Sequence, residues 1–322
     1  MMVDLADMRS RVWFGVHISQ EGRDFEEVKN LTLKAERLGF DFVTVMDHLM
    51  NQYVPQGKSC IECWTTLAGL AAATKRINLG PLVSCYGYHR PTILAKMATT
   101  VDIISDGRLI FGIGAGWHEA EFKGFMGGFP SLRERMRGLE ESLEICKTMF
   151  ANEYTTYHGK LYTVENVQNK PQPVQKHIPI MIGGAGEKRT LRIAAKHADI
   201  SHFLSRGIVE EDLRIFSVLR KHCDSVGRDY DDIVKGTGFG IGIGGSKSEI
   251  ISKWKRNSDE LGYPPGVMEF WLEKRTPTYG APENFVETLN RYIENGVTFF
   301  TCMFLDIDDM VTFSEEVIPE VR

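Results

Sequence analysis

Short apolar runs recur along the chain, separated by longer stretches whose apolar positions repeat every three or four residues. The short runs read as strands buried on both faces and the longer stretches as amphipathic helices, so the pattern predicts repeated βαβ units and a parallel sheet. The first run, Trp13 to Ile18, precedes a stretch with Phe25, Val28, Leu31, Ala35 and Leu38 on one helical face, closed by Gly39. Phe42 to Met46 is the second strand, Glu62 to Ala73 an Ala- and Leu-rich helix, and Ile77 to Val83 the third strand. The helix Pro91 to Ile104 opens with a proline suited to a first turn and leads through Asp106-Gly107 into the strand Leu109 to Ile113.

The rhythm then lengthens. Leu132 to Phe150 is a long amphipathic helix, and Ala151 to His177 is a polar excursion that reads as an insertion. Strands resume at Ile178 to Ile182, Asp199 to Phe203 and Ile233 to Ile241, with helices Lys188 to Lys196, Glu210 to Val226 and Ser248 to Leu261 after them. A second irregular stretch, Gly262 to Ala281, holds Trp271, and Pro282 to Asn295, Val297 to Leu305 and Met310 to Val317 complete the pattern. Right-handed crossovers permit a closed barrel or an open doubly wound sheet, and eight sequential units favour closure. The expectation is an α/β chain, a single (β/α)8 TIM barrel over residues 1–322 with insertions at about 151–177 and 262–281, since no linker or repeat divides it.

Composition narrows the function. With 43% hydrophobic and 25% charged residues the chain can bury a large core. A net charge of -5 provides no general field for nucleic acid or an anionic membrane, so an anionic ligand must be held by local groups. No run approaches a membrane span and the charged start does not resemble a signal peptide, so a cytoplasmic protein is expected. Cys60 and Cys63 form a C-x-x-C with no second pair to complete a zinc site; it reads as a redox pair or as two small residues at a helix start. No metal site is expected.

Barrel enzymes concentrate chemistry on the loops after the strands. Asp47-His48 ends the second strand and would either hydrogen-bond a heterocycle and exchange protons, or be a capping acid beside a surface imidazole. Gly114-Ala115-Gly116 after the fourth strand lets backbone approach a flat or phosphorylated ligand, with Trp117 and His118 as contacts or as core and cap residues. Gly183-Gly184-Ala185-Gly186, followed by Lys188 and Arg189, is the best local anion site, its competing reading being a tight turn. No H-E-x-x-H, G-x-S-x-G or Walker loop is present.

These motifs, with Glu62-Cys63-Trp64-Thr65-Thr66-Leu67, Leu79-Gly80-Pro81-Leu82-Val83, Asp106-Gly107-Arg108-Leu109, Gly114 through Phe122, Leu139-Glu140-Glu141, Pro171-Gln172-Pro173 and Glu316-Val317-Ile318-Pro319, make the chain resemble the bacterial luciferase-like monooxygenase superfamily over essentially its full length. Within it, the chain resembles the deazaflavin (coenzyme F-420)-dependent oxidoreductases. The resemblance implies a cofactor ring in the barrel mouth, backed by a non-proline cis peptide at Leu82-Val83 or Val83-Ser84. It implies a phosphate held by Gly183 to Gly186, and Asp47 and His48 beside the ring with His48 as the proton-transfer residue. Tyr86, Trp117, His118 and Trp271 are candidates for a substrate wall. Trp117 stands where sugar-phosphate-oxidising relatives have a catalytic Glu, so that substrate is not carried over.

The leading expectation is hydride transfer between F-420 and a small organic substrate, with the two irregular segments excluding solvent. The alternatives are an FMN-dependent monooxygenase using dioxygen and a flavin reductase partner, and a non-catalytic flavin-binding barrel. A homodimer is implied by the resemblance alone.

Overall fold

A computed structural model of the chain describes Val3 and residues 5–52, 59–261, 278–304 and 306–322. The strands that build the barrel are β1 (Trp13–Ile18), β2 (Phe42–Val45), β3 (Asn78–Pro81), β4 (Ser84–Cys85) and β5 (Phe111–Gly114), and, beyond the insertion's β6 (Tyr154–His158) and β7 (Thr163–Gln168), β8 (Ile180–Gly183), β9 (Ile200–Leu204), β10 (Val234–Ile243) and β12 (Val297–Phe304). All of these barrel strands run parallel in the order β3-β2-β1-β12-β10-β9-β8-β5-β4, and a short β11 (Thr278–Gly280) adds to β10. Leu79 N–H donates to Arg108 O at 3.0 Å and Ile110 N–H to Leu79 O at 2.9 Å, which joins β3 to the residues leading into β5 and closes the sheet. The result is the (β/α)8 TIM barrel that the strand rhythm predicts.

The helices between strands are α1 (Leu5–Ser10), α2 (Phe25–Arg37), α3 (Cys63–Ala73), α4 (Pro91–Ser105), α5 (Glu119–Met126), α6 (Leu132–Ala151), α7 (Thr190–His197), α8 (Val209–Val226), α9 (Lys247–Leu261) and α10 (Pro282–Ile293), and further helical turns run from Ile307 to Val321. Among the described residues no helix is long and apolar enough to cross a membrane.

Strand alternation produces two cores. Phe14, Val16 and Ile18 of β1 face the helices, whereas Trp13 points into the barrel with Phe42, Ile110, Met181, Ile200, Val234 and Phe299. Phe42 and Phe299 stack at 4.1 Å between ring centres across the floor, and Met8 of α1 closes the bottom. Nearer the mouth His17 bonds Thr44 Oγ1 and His202 bonds Thr301 Oγ1, each at 3.0 Å. Burial, then the nearby His48, pushes His17 down to about 4; burial, then His17, pushes His202 down to about 3. Both rings are neutral at pH 7.

Three features depart from the sequence reading. The run Ile77 to Val83 is an interrupted strand: pairing stops at Pro81, and Ser84-Cys85 pairs with β5 after the Leu82–Val83 peptide, which is cis as the resemblance implies. The first insertion contains an antiparallel hairpin, β6 with β7, whose turn is held by Glu141 of α6 accepting from the N–H groups of Lys160, Leu161 and Tyr162 at 3.0, 2.9 and 3.1 Å. The helix expected from Lys188 starts at Thr190, so Lys188 and Arg189 lie in the turn before it. Most of the second insertion, including Trp271, lies outside the described residues.

Candidate active site

The site forms where the loops after the second, third, fourth and fifth barrel strands meet. Glu62 caps α3 by accepting from Trp64 N and Thr65 N, both at 2.7 Å, which sets the Trp64 indole inward. Trp64 Nε1 donates to Ser84 Oγ at 3.0 Å, and Ser84 Oγ and Cys85 N donate to Asp47 Oδ2 at 2.9 and 2.8 Å. Asp47 therefore ties the second strand's exit to the broken third strand. Burial raises its pKa against the opposing pull of those two donors, and its Oδ1 is buried with no partner among the described residues.

Val83 leans across to the next strands. A Cβ placed on Gly114 would sit 2.7 Å from Val83 Cγ2, and one on Gly183 would meet the same atom at 2.7 Å. Only residues without side chains fit there, and backbone and Val83 form a smooth wall. Gly116 (φ 67°) turns the chain after β5 over Cys85, where a Cβ would come 2.4 Å from Sγ, and Arg135 of α6 donates to Gly116 O at 2.5 Å. Gly184 N–H donates to His202 O at 2.8 Å, tying the fifth strand's exit to the sixth strand.

Glu121 organises the imidazoles. Its side chain is fully buried, and Leu49 N and Met50 N donate to Oε1 at 2.6 and 3.1 Å. Oε2 accepts from Tyr88 OH at 2.5 Å and lies 2.8 Å from His48 Nδ1. Burial alone would raise the carboxyl, but the bonds to His48 and Tyr88 hold it down at about 2, so it is anionic. An anionic acceptor fixes the proton on His48 Nδ1 and leaves Nε2 to exchange protons. The His48 ring packs edge-on against Trp117 and His118, with centroids 5.7 and 5.8 Å away. His118 Nδ1 lies 3.2 Å from Glu121 Oε2, off hydrogen-bonding alignment, and is buried without a partner among the described residues.

The structure brings together Asp47, His48, Ser84, Trp117 and His118, and separately Val83, Gly114 and Gly183, the two groups being linked through Ser84-Cys85. Trp117 is 57% exposed, at the rim, while Tyr86 is buried with its ring against Gly138 of α6. Gly186 closes the fifth-strand turn, its carbonyl accepting from Leu191 N at 3.1 Å. Sequence reasoning gave no role to Glu121 or Tyr88; the signal present was Glu121 three residues after His118, one helical turn on. His48, His118 and Glu121 offer donor atoms within 4.8 Å of one another, as do Asp47, Glu62 and His89, yet Glu121 already accepts on both oxygens. Cys63 is buried and its thiol is pushed well up, by burial first and Asp47 next, while burial, then Glu21 and Glu121, takes Cys60 to about 12. Both thiols stay protonated, which favours the packing reading of the C-x-x-C.

The model of the luciferase-like monooxygenase family matches residues 8–252. The chain belongs to that family. Its similarity to named members is moderate: it is 28% identical over 244 residues to the pyrimidine monooxygenase RutA of Acinetobacter baylyi, covering 73% of this chain and 64% of that protein. It is 29% identical over 226 residues to an F420-dependent glucose-6-phosphate dehydrogenase of Microbacterium testaceum, covering 68% and 65%. The chain thus spans just under two thirds of the length of these relatives. Among solved structures, an F420-dependent secondary alcohol dehydrogenase carrying an F420-acetone adduct superposes with a TM-score of 0.82 at 18% identity, over 97% of this chain and 99% of that one. A riboflavin lyase with modified FMN superposes at 0.81 and 14% identity, over 96% and 91%. These structural likenesses are likenesses of fold. The named relatives include both oxidoreductases and monooxygenases, and both F420 and FMN.

Proposed function

We propose that this luciferase-like barrel is a coenzyme F-420-dependent oxidoreductase acting on a small organic substrate. The observation that carries the reading is the pairing of an apolar wall, the Val83 side chain packed on the bare backbone of Gly114 and Gly183, with a fixed His48–Glu121 pair on the same rim. The wall fits a flat ring. The unpartnered Asp47 Oδ1 fits a ring donor, and the Gly183–Gly186 turn with Lys188 and Arg189 fits a phosphate. Leu82, Val83 and Ser84 would back the ring, with Gly114, Ala115 and Gly116 at its edge. When bound, a deazaflavin supplies the hydride chemistry.

The chain's own residues supply position and proton. Glu121 holds His48 Nδ1–H, so His48 Nε2 takes the proton of a substrate hydroxyl as it becomes a carbonyl, or returns one in the reverse direction. Leu49 N–H and Met50 N–H anchor the other oxygen of Glu121, so the pair keeps one orientation. Trp117 and His118 crowd the His48 ring and narrow the entrance.

An FMN-dependent monooxygenase is the second reading, favoured by the similarity to RutA. Anaerobic incubation of reconstituted protein with oxidised deazaflavin and a panel of small alcohols tests the first: substrate-dependent bleaching supports it. Turnover that needs reduced FMN and dioxygen instead supports the second.

A further inference from the structure

A groove of about 290 Å³ lies between α6 and the residues that lead from the Gly183–Gly186 turn into α7. Arg133 and Arg137 of α6 and Lys188, Arg189 and Arg192 at α7 line it, over a floor of Met136 and Ile193. The acid in the groove, Glu140, is engaged by Lys196 at 2.5 Å, and the neighbouring Glu187 by Arg214 at 2.9 Å. Among the described residues none of the five cations is ion-paired.

Five cations around a single acid, Glu140, which Lys196 also engages, leave a local excess of positive charge that is disfavoured in the free protein, the more so because Arg133 and Arg137 are four apart on one helix face. In a chain of net charge -5 such a concentration is a local feature, and it suits a ligand with several negative charges. Guanidinium forks match carboxylate and phosphate oxygens two at a time. Lys188 and Arg189 follow the Gly183–Gly186 turn directly in the sequence, and the groove adds Arg133, Arg137 and Arg192 to them.

We propose that this groove binds the polyanionic arm of the cofactor, reaching beyond the first phosphate onto Arg133, Arg137 and Arg192, and so selects a long-tailed cofactor over FMN. The proposal rests on the reading of the mouth as a deazaflavin site. Two probes separate its failure from the failure of that reading. Inorganic triphosphate, titrated by calorimetry into the full chain, tests the groove itself. Deazaflavin with its anionic tail intact, against deazaflavin trimmed to the phosphate, tests the arm.

With Arg137→Gln/Arg192→Gln, shown folded by its circular dichroism, triphosphate affinity is expected to fall about tenfold or more, with wild-type affinity dropping steeply as salt rises. The intact tail is expected to bind wild type about tenfold more tightly than the trimmed form, and the double variant to lose that preference while binding the trimmed form unchanged. Equal binding of triphosphate and of the intact tail to both proteins overturns the proposal. Triphosphate binding that needs the arginines, with no preference between the two deazaflavins, overturns the arm and leaves a site for a free polyanion. Failure of both deazaflavins to bind wild type overturns the arm together with the mouth reading.

Discussion

At the residue scale the decisive group is Glu121, a carboxylate buried in the rim whose four partners explain why it stays charged. Glu121→Gln keeps its shape and removes the charge that fixes His48 Nδ1–H. Turnover is expected to fall on the order of a hundredfold, the range of a lost general acid-base contribution, with cofactor affinity unchanged; steady-state rates beside a binding titration check this. The same residue links to acid stability. Its folded pKa of about 2 lies below the ordinary carboxylate value, so its contribution is complete above about pH 5 and is lost as pH falls toward 2.

His17 and His202 act over a higher window. Their folded values of about 4 and about 3 lie below that of an unfolded histidine, so the unfolded chain takes up protons first as pH drops through 6.5. Stability is expected to fall by about 2 kcal/mol per histidine between pH 7 and pH 5. Urea unfolding of His202→Asn beside wild type measures it, the variant showing a shallower loss over that range.

At the element scale the third strand carries the site, and its break was not legible in its residues. Ile77 to Val83 is apolar but for Asn78 and reads as one strand; the cis peptide inside it was implied only by family resemblance. The contact across the break yields a test. Gly183→Ala puts a methyl 2.7 Å from Val83 and should cost about 1–3 kcal/mol by overpacking, together with loss of cofactor binding. Val83→Ala in the same chain should recover most of the stability, and a double-mutant cycle that shows no coupling would place the two residues apart.

Several motifs that carried the resemblance prove architectural. Arg108, 2% exposed, donates to Ser105 O, Thr74 Oγ1, Ile77 O, Ala71 O and Thr74 O, pinning the end of α3 to the barrel's lower edge. Arg108→Met leaves those carbonyls buried and unpaired, for a loss of roughly 3–5 kcal/mol in chemical unfolding. Glu141 holds a hairpin turn, and that hairpin escaped sequence reading because its strands are largely exposed and polar. The short α5 that delivers Glu121 was hidden by the glycines before it.

At the scale of the whole molecule, alternation of buried strands and amphipathic helices was enough to give the barrel, since each parallel strand must be apolar on both faces and each crossover must return over the sheet. Of the strand-end residues singled out in the sequence, Val83 packs on Gly114 and Gly183, and Asp47, next to His48, joins them through Ser84-Cys85. The partners that fix them came from elsewhere along the chain, Glu121 lying 73 residues from His48, a pairing only the closed barrel makes. The proposed deazaflavin site rests on the chemistry of the rim and of the basic groove between α6 and α7. Fluorescence titration of the purified full chain with deazaflavin and with FMN tests this most directly. Saturable deazaflavin binding that Gly183→Ala abolishes, with FMN at least about tenfold weaker, is the predicted result; tight FMN binding with no deazaflavin binding would contradict it.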